Sequence, residues 1–204
     1  MCVGRWIRQV GQQSPLPPYC QRISLAGRMC AESPALTAME ARIRLADEAD
    51  ATAINEVYNH YVRASTCTWH LTEETEEGRI HWLKSRSRAH PVLVVEVEGR
   101  VVGWGSLSVY NSRQGWSATV EDSIFIHHAH HGKGLGKRLL RELLARAEAL
   151  GHKSVIARIS AEQVGSLKLH ESCGFSHAGL LKGVGHKFGQ DLDCAYMLKS
   201  LRKP

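Results

Sequence analysis

Three glycines and three cationic side chains crowd into the eight residues His131-Gly132-Lys133-Gly134-Leu135-Gly136-Lys137-Arg138. Glycines let a turn gather backbone N–H groups without Cβ interference. Where a helix begins, its free N–H groups and positive dipole end favour an anion. Lys133, Lys137 and Arg138 place formal charge at the same spot. The chemistry this pattern supports is the cradling of a phosphate, a pyrophosphate above all. A glycine-rich strand-to-helix turn that serves only the fold would carry the same signature. Spacing excludes two common phosphate loops. A Walker loop needs four residues between its glycines and Ser or Thr after the Lys. Here three residues separate Gly132 from Gly136, and Arg138 follows Lys137. The dinucleotide pattern G-x-G-x-x-G fails as well, because the glycines read G-x-G-x-G.

Other groups with possible chemistry are weaker. His127, His128, His130 and His131 fall within five residues, but metal ligation needs converging side chains. In a tight turn these rings point several ways, so a polar loop and no metal is the expectation. The six cysteines, at positions 2, 20, 30, 67, 173 and 194, include no C-x-x-C pair. That spread suits reduced thiols and a cytoplasmic protein. With 26 basic and 20 acidic residues the net charge is +6. This fits one anionic ligand on a solvated surface, and no basic block interleaved with aromatics points to nucleic acid. No apolar run approaches the ~20 residues of a membrane helix.

The elements that must hold the loop follow from periodicity. Thr119 to Ile126 reads as a strand feeding it. From Leu135, apolar residues recur at Leu139, Leu140, Leu143, Leu144, Ala147 and Leu150, one face of a long helix closed by Gly151. Upstream, a strand over Ile43–Leu45 precedes a helix with Ile54, Val57, Tyr58 and Tyr61 on one face. A second helix covers Glu76–Ser85, with Ile80 and Leu83 inward. Val92–Val97 and Arg100–Val109 pair through the turn at Glu98-Gly99. Downstream come a strand over Ser154–Ile159, a short helix from Gly165 to Cys173, and a last stretch to Met197-Leu198. Such an order describes one α/β (mixed α+β) domain over residues 41–204. Residues 1–40, rich in Pro and Cys and without periodicity, read as an N-terminal extension, with Met39 a natural domain start.

With these positions fixed, residues 41–200 resemble the phosphinothricin N-acetyltransferase branch of the GNAT superfamily. Four segments carry the resemblance: Thr119-Val120-Glu121; the loop Gly132–Gly136; Ser166 with Leu169-His170-Glu171 and Gly174-Phe175; and Gly185-His186-Lys187-Phe188-Gly189 with Asp193. His131 stands where the family's loop has Gln or Arg, and Gln163 where it has Asn. The resemblance implies a central twisted mixed sheet flanked by helices, with a V-shaped split between the Ser123–Ile126 and Ser154–Ile159 strands. It implies acetyl-CoA in that split, with no metal. Backbone groups of Ile124, Phe125 and Ile126 would meet its pantetheine. Gly132, Lys133, Gly134, Leu135, Gly136 and Lys137 would hold its pyrophosphate, with Gln163 and Ser166 close by.

The roles expected from the resemblance then follow from chemistry. An amine attacks a thioester only as the neutral base, and an α-amino group with a pKa near 8 is mostly protonated at pH 7. Glu121, at the mouth of the central strand, is the candidate base, and His170 the candidate donor to the departing thiolate. Arg113, an anion clamp by its planar fork, is expected at the acceptor with Trp116, Trp69 and Lys187. The acceptor implied is a small amino acid or analogue such as methionine sulfone, methionine sulfoximine or phosphinothricin. A peptide, polyamine or antibiotic amine, or a non-catalytic acyl-CoA-binding module, remains open. The branch also implies a homodimer.

Overall fold

The structure, a computed structural model, describes residues 40–202. The expected extension, apart from Glu40, therefore lies outside the described residues. Seven strands form one sheet in the order β1-β2-β3-β4-β5-β7-β6. They span Ala41–Leu45, Val92–Val97, Arg100–Val109, Thr119–Ile126, Ser154–Ser160, Ser176–Lys187 and Gln190–Ser200, β1 to β7 in chain order. Helices α1 (Ala51–Ala64), α2 (Glu76–Lys84), α3 (Leu135–Ala149) and α4 (Val164–Glu171) complete the domain. The strands and helices expected from periodicity are present, with ends shifted by a few residues.

Helix α3 covers one face of the sheet. Its apolar stripe Leu139, Leu140 and Leu143 is fully buried against Val95, Leu107, Val120, Val155 and Met197. On the other face Ile54, Val57 and Tyr58 of α1 pack on Val92, Val94 and Trp104. Helix α2 differs from expectation. Its buried residue is Arg79, while Ile80 and Leu83 are only half-buried. The reason is aromatic: a guanidinium stacks on ring faces as well as an aliphatic chain packs, and Trp82, Trp104 and Tyr58 surround Arg79. The last stretch of chain is a long hairpin, β6–β7, turned by Phe188 and Gly189, both at positive φ (52° and 74°). A turn with two positive φ values matches the twist of its strands.

All neighbouring strands run antiparallel except β4 and β5, which run parallel. Their pairing covers only Thr119–Glu121 against Ser154–Ile156. Beyond it β4 continues to Ile126 and β5 to Ser160 without meeting, so the sheet opens in a V. On its other side β4 stays zipped to β3 through Gly103 and Gly105, opposite Ile126 and Ile124. A Cβ at 105 would stand 2.8 Å from Leu143 Cδ1 and 2.9 Å from both Ile124 Cδ1 and the Ser123 carbonyl oxygen. The oxygen belongs to the backbone and cannot swing aside. Gly→Ala inside a strand ordinarily gains about 0.5–1 kcal/mol. Here overpacking reverses the sign, and Gly105→Ala is expected to cost about 1–3 kcal/mol. The urea unfolding midpoint of this variant checks it; an unchanged or raised midpoint contradicts the packing argument.

Candidate active site

A cavity of about 870 Å³ fills the V and continues onto the α1/α2 face of the sheet. Its first part is the glycine loop. After β4, a short 3-10 turn (His128–His130) leads into Gly132 and Gly134, both at positive φ, and α3 begins at Leu135. Gly132, Gly134, Leu135, Gly136 and Lys137 line the cavity, whereas Lys133 is exposed outside its wall. A Cβ at Gly136 would come to 3.3 Å from Leu169, so this glycine lets α4 approach the start of α3. The loop runs into the 15-residue helix α3, giving it a full helix dipole. His130 Nδ1 is buried at the cavity without a partner among the described residues. His131 Nε2 lies 2.9 Å from the Ile126 carbonyl and 2.7 Å from the Tyr61 hydroxyl, which itself donates to that carbonyl. The ring thus turns back onto the strand end and leaves the loop backbone free. His60, His127 and His128 stack ring on ring, and among the described residues no group of three ligands is placed to hold a metal.

The second part is the open edge of β4. The His127 N–H donates to Val102, and antiparallel pairing alternates along the strand. Phe125 therefore also points its polar backbone toward β3, while Ile124 and Ile126 point theirs into the V. This refines the expectation for all three residues. Ile124 offers both N–H and C=O to the cavity. Ile126 offers its N–H, its carbonyl being taken by Tyr61 and His131. Phe125 contributes its ring, stacked 5.0 Å from Trp104, rather than its backbone. Across the V, Gln163 donates to Thr66 Oγ1 at 2.9 Å, and Ser166 lies in the same wall.

The third part holds the ionisable groups. Glu121 sits at the last β4–β5 pair, its Oε1 2.7 Å from Arg158 Nε. That contact raises the Arg158 pKa and fixes the carboxylate's orientation. His170 is buried, with Nδ1–H donating to the Ser166 carbonyl at 2.7 Å and Nε2 3.0 Å from Asp122 Oδ2. Both ring nitrogens face acceptors, an arrangement suited to imidazolium. Burial alone would lower its pKa, but the Asp122 hydrogen bond and charge, with the Ser166 carbonyl, raise it overall. The second Asp122 oxygen, Oδ1, is buried and unpartnered among the described residues. Sequence reasoning missed Asp122 because adjacent strand residues face opposite sides of a sheet. Both Glu121 and Asp122 nevertheless reach the cavity, since β4 loses its neighbour there and the V communicates with both faces.

The acceptor side departs most from expectation. Trp69 does line the cavity, its ring so close to Gly185 that a Cβ there would collide with it. Arg113 and Trp116 do not. They occupy an exposed loop between β3 and β4, where Trp116 packs on Tyr110 with ring centroids 5.3 Å apart. Lys187 is also corrected: it is buried, outside the cavity wall, donating to the Thr68 carbonyl at 3.0 Å and the Tyr61 carbonyl at 3.4 Å. Burial lowers its pKa. The wall is instead built by Tyr58, Arg79, Trp82 and Trp104, with Ser106, Ser108 and Ser123 as floor. Tyr58 and Trp104 were legible as apolar-face residues, but nothing in their spacing distinguished a cavity wall from core.

Comparison with known proteins agrees with this geometry. Residues 54–175 match the acetyltransferase (GNAT) family. An L-methionine sulfoximine/L-methionine sulfone acetyltransferase of Salmonella typhimurium is 39% identical over 156 residues, 76% of this chain and 91% of that protein. A phosphinothricin N-acetyltransferase of Streptomyces viridochromogenes is 34% identical over 162 residues, 79% of this chain and 88% of that one. The crystal structure of a GNAT superfamily phosphinothricin acetyltransferase from Sinorhizobium meliloti in complex with acetyl-CoA superposes with a TM-score of 0.75 at 36% identity, over 79% of this chain and 88% of that one. With a glycine cradle, an open strand edge and family-wide similarity along the domain, the chain belongs to the GNAT family of acetyltransferases.

Proposed function

We propose that this acetyltransferase moves the acetyl group of acetyl-CoA to the primary amine of a small amino acid or analogue, of the methionine sulfone, methionine sulfoximine or phosphinothricin type, by direct attack. The observation that carries the reading is that the Glu121 carboxylate, at the point where β4 and β5 part, shares one cavity with the glycine cradle. The residues present fit acetyl-CoA. The unpaired backbone groups of Ile124 and the Ile126 N–H suit an amide-bearing chain, and the loop N–H groups, Lys137 and the unpartnered His130 suit its phosphates. Acetyl-CoA supplies the electrophilic thioester carbonyl.

The chain's residues do the rest. Glu121 accepts the ammonium proton, directly or through one water, while Arg158 holds the carboxylate in place. His170, the candidate donor to the departing thiolate, has Nδ1 engaged by the Ser166 carbonyl and Nε2 by Asp122, so it can deliver a proton only by giving up the Asp122 contact. Placing amine and thioester side by side supplies much of the rate. Turnover of methionine sulfone and phosphinothricin, but not of spermidine or a peptide N-terminus, is expected when thiol release is followed across such a panel. In the same assay Glu121→Gln should lower kcat by about 10²-fold or more, with acetyl-CoA affinity nearly unchanged. Turnover of spermidine alone would move the reading to polyamines; acetyl-CoA binding that is silent on every amine would favour a non-catalytic acyl-CoA module.

The His170–Asp122 pair has a pH signature. A His pKa raised by folding gives stability that is fully present below the unfolded value of about 6.5 and is lost as pH rises through the folded one. The stability advantage of the wild type over Asp122→Asn should therefore be largest between pH about 5 and 6.5 and shrink at higher pH. Urea unfolding across that range tests it, and an advantage that grows with pH contradicts the pairing.

Free Cys67, Cys173 and Cys194 fit a reducing compartment, the cytoplasm by default; among the described residues no helix is long and apolar enough to cross a membrane. We assign homodimer formation to β6. It is one of the sheet's two edge strands, and Leu180, Leu181, Val184 and Phe188 along the hairpin are about half exposed. An unpaired apolar edge is an association surface. Sedimentation should give the mass of a dimer for the wild type and of a monomer after Leu181→Lys with Val184→Lys; a monomeric wild type refutes the assignment.

A further inference from the structure

A guanidinium sealed inside a protein ordinarily faces a carboxylate, because a desolvated charge left without one is costly. Arg79 breaks that pattern. It is 5% exposed, and its Nε donates to Asn55 Oδ1 at 2.8 Å. Among the described residues no carboxylate forms an ion pair with it, and neither Nη group has a hydrogen-bond acceptor. Three rings enclose its central carbon instead, Trp82 at 4.7 Å, Tyr58 at 4.9 Å and Trp104 at 5.4 Å. Burial lowers its pKa, partly offset by the negative charge of Glu74, and a guanidinium so shifted still stays charged. The Asn55 contact and the rings fix the plane of the fork, and the residue lies in the cavity wall.

Its place along the wall is informative. Arg79 stands over Trp104, the register partner of Phe125 on β4; Glu121 pairs with Ser108. Those positions lie four residues apart on β3, about 13 Å of strand at about 3.3 Å per residue. Between them run the hydroxyls of Ser106 and Ser123, themselves register partners. A proton acceptor thus marks one end of the acceptor floor, and a desolvated, oriented pair of donors the other. Neither cation suggested by sequence can serve there: Arg113 lies on an exposed loop, and Lys187 spends its ammonium on backbone carbonyls.

Resting on the amino-acid reading of the site, we propose that Arg79 is the residue that recognises the acceptor, its two Nη groups binding a pair of oxygens on it. A planar fork meets two oxygens of one centre in parallel hydrogen bonds. A carboxylate offers such a pair, and so do the oxygens of a side-chain sulfone or phosphinate. The aromatic cage makes the arrangement selective, since an acceptor lacking that pair displaces water from the fork without giving it acceptors.

The test compares kcat/KM for three acceptors, methionine sulfone, its carboxamide and methionine, in the wild type and in Arg79→Met and Arg79→Lys. The wild type should prefer methionine sulfone over at least one of the other two by about 10²-fold, the scale of charge-assisted hydrogen bonds. Arg79→Met should erase that preference mainly by raising KM for methionine sulfone, while the poorer acceptor changes within a few-fold. Arg79→Lys, charged but without a fork, should restore only part of it. Preference lost against the carboxamide assigns the carboxylate to Arg79; preference lost against methionine assigns the sulfone oxygens. Equal losses on all three acceptors, with the preference intact in Arg79→Met, would make Arg79 a packing element and overturn the proposal. Wild-type turnover without any preference overturns it too, leaving the proposed function standing. Wild-type silence on all three instead overturns the amino-acid reading and everything resting on it.

Discussion

The parting of β4 and β5 after Glu121 and Ile156 is the constraint on which the rest of the structure depends. Buried backbone N–H and C=O groups are almost always paired, so a central strand that loses its neighbour inside a domain creates a demand for a ligand with polar groups along its length. The break also lets one cavity reach both faces of the sheet. Glu121 and Asp122, adjacent and oppositely directed, can then both serve it. The glycine loop lies at the mouth of the same gap because it is where β4 ends and α3 begins. Keeping β4 straight along an open edge falls to β3, and Gly103 and Gly105 allow that strand to lie close.

Buried charge is handled in three ways around this gap. His170 and Asp122 are hydrogen-bonded to one another, leaving one carboxylate oxygen over. Lys187 is satisfied by two backbone carbonyls and so ties the chain near Thr68 to the β6–β7 hairpin. Arg79 is stacked rather than paired. The first two arrangements are closed; the third leaves donors free, and open valence in a cavity wall is what a binding site requires.

Much of the fold was legible because its signals are periodic. The α3 stripe, the strand before it and the Glu98-Gly99 turn appear where spacing puts them. The loop was legible because positive φ at Gly132 and Gly134 leaves its mark in residue type. The cavity wall around Trp69 and Trp104 was not. It comes from α1, α2, β3 and the segment around Trp69, brought together only by the tertiary fold. Arg79 reads in sequence as a solvated helix residue, since arginine is rarely buried. Arg113 reads as an anion clamp because its type and offset suit one, yet its loop turns outward. His131 shows the converse, an unusual residue at a loop position whose ring is absorbed by Tyr61 and a strand-end carbonyl.

The ring of Trp69 rests on the bare backbone of Gly185, a residue on the outermost strand of the sheet. Because a bare backbone at 185 leaves room for that ring, the breadth of this part of the cavity depends on a residue outside its wall. Any methyl at 185 would drive the indole elsewhere while leaving the cradle, the carboxylate and the guanidinium in place. The width of the cavity beside Trp69 and the geometry of the gap between β4 and β5 are thus set by separate parts of the sheet.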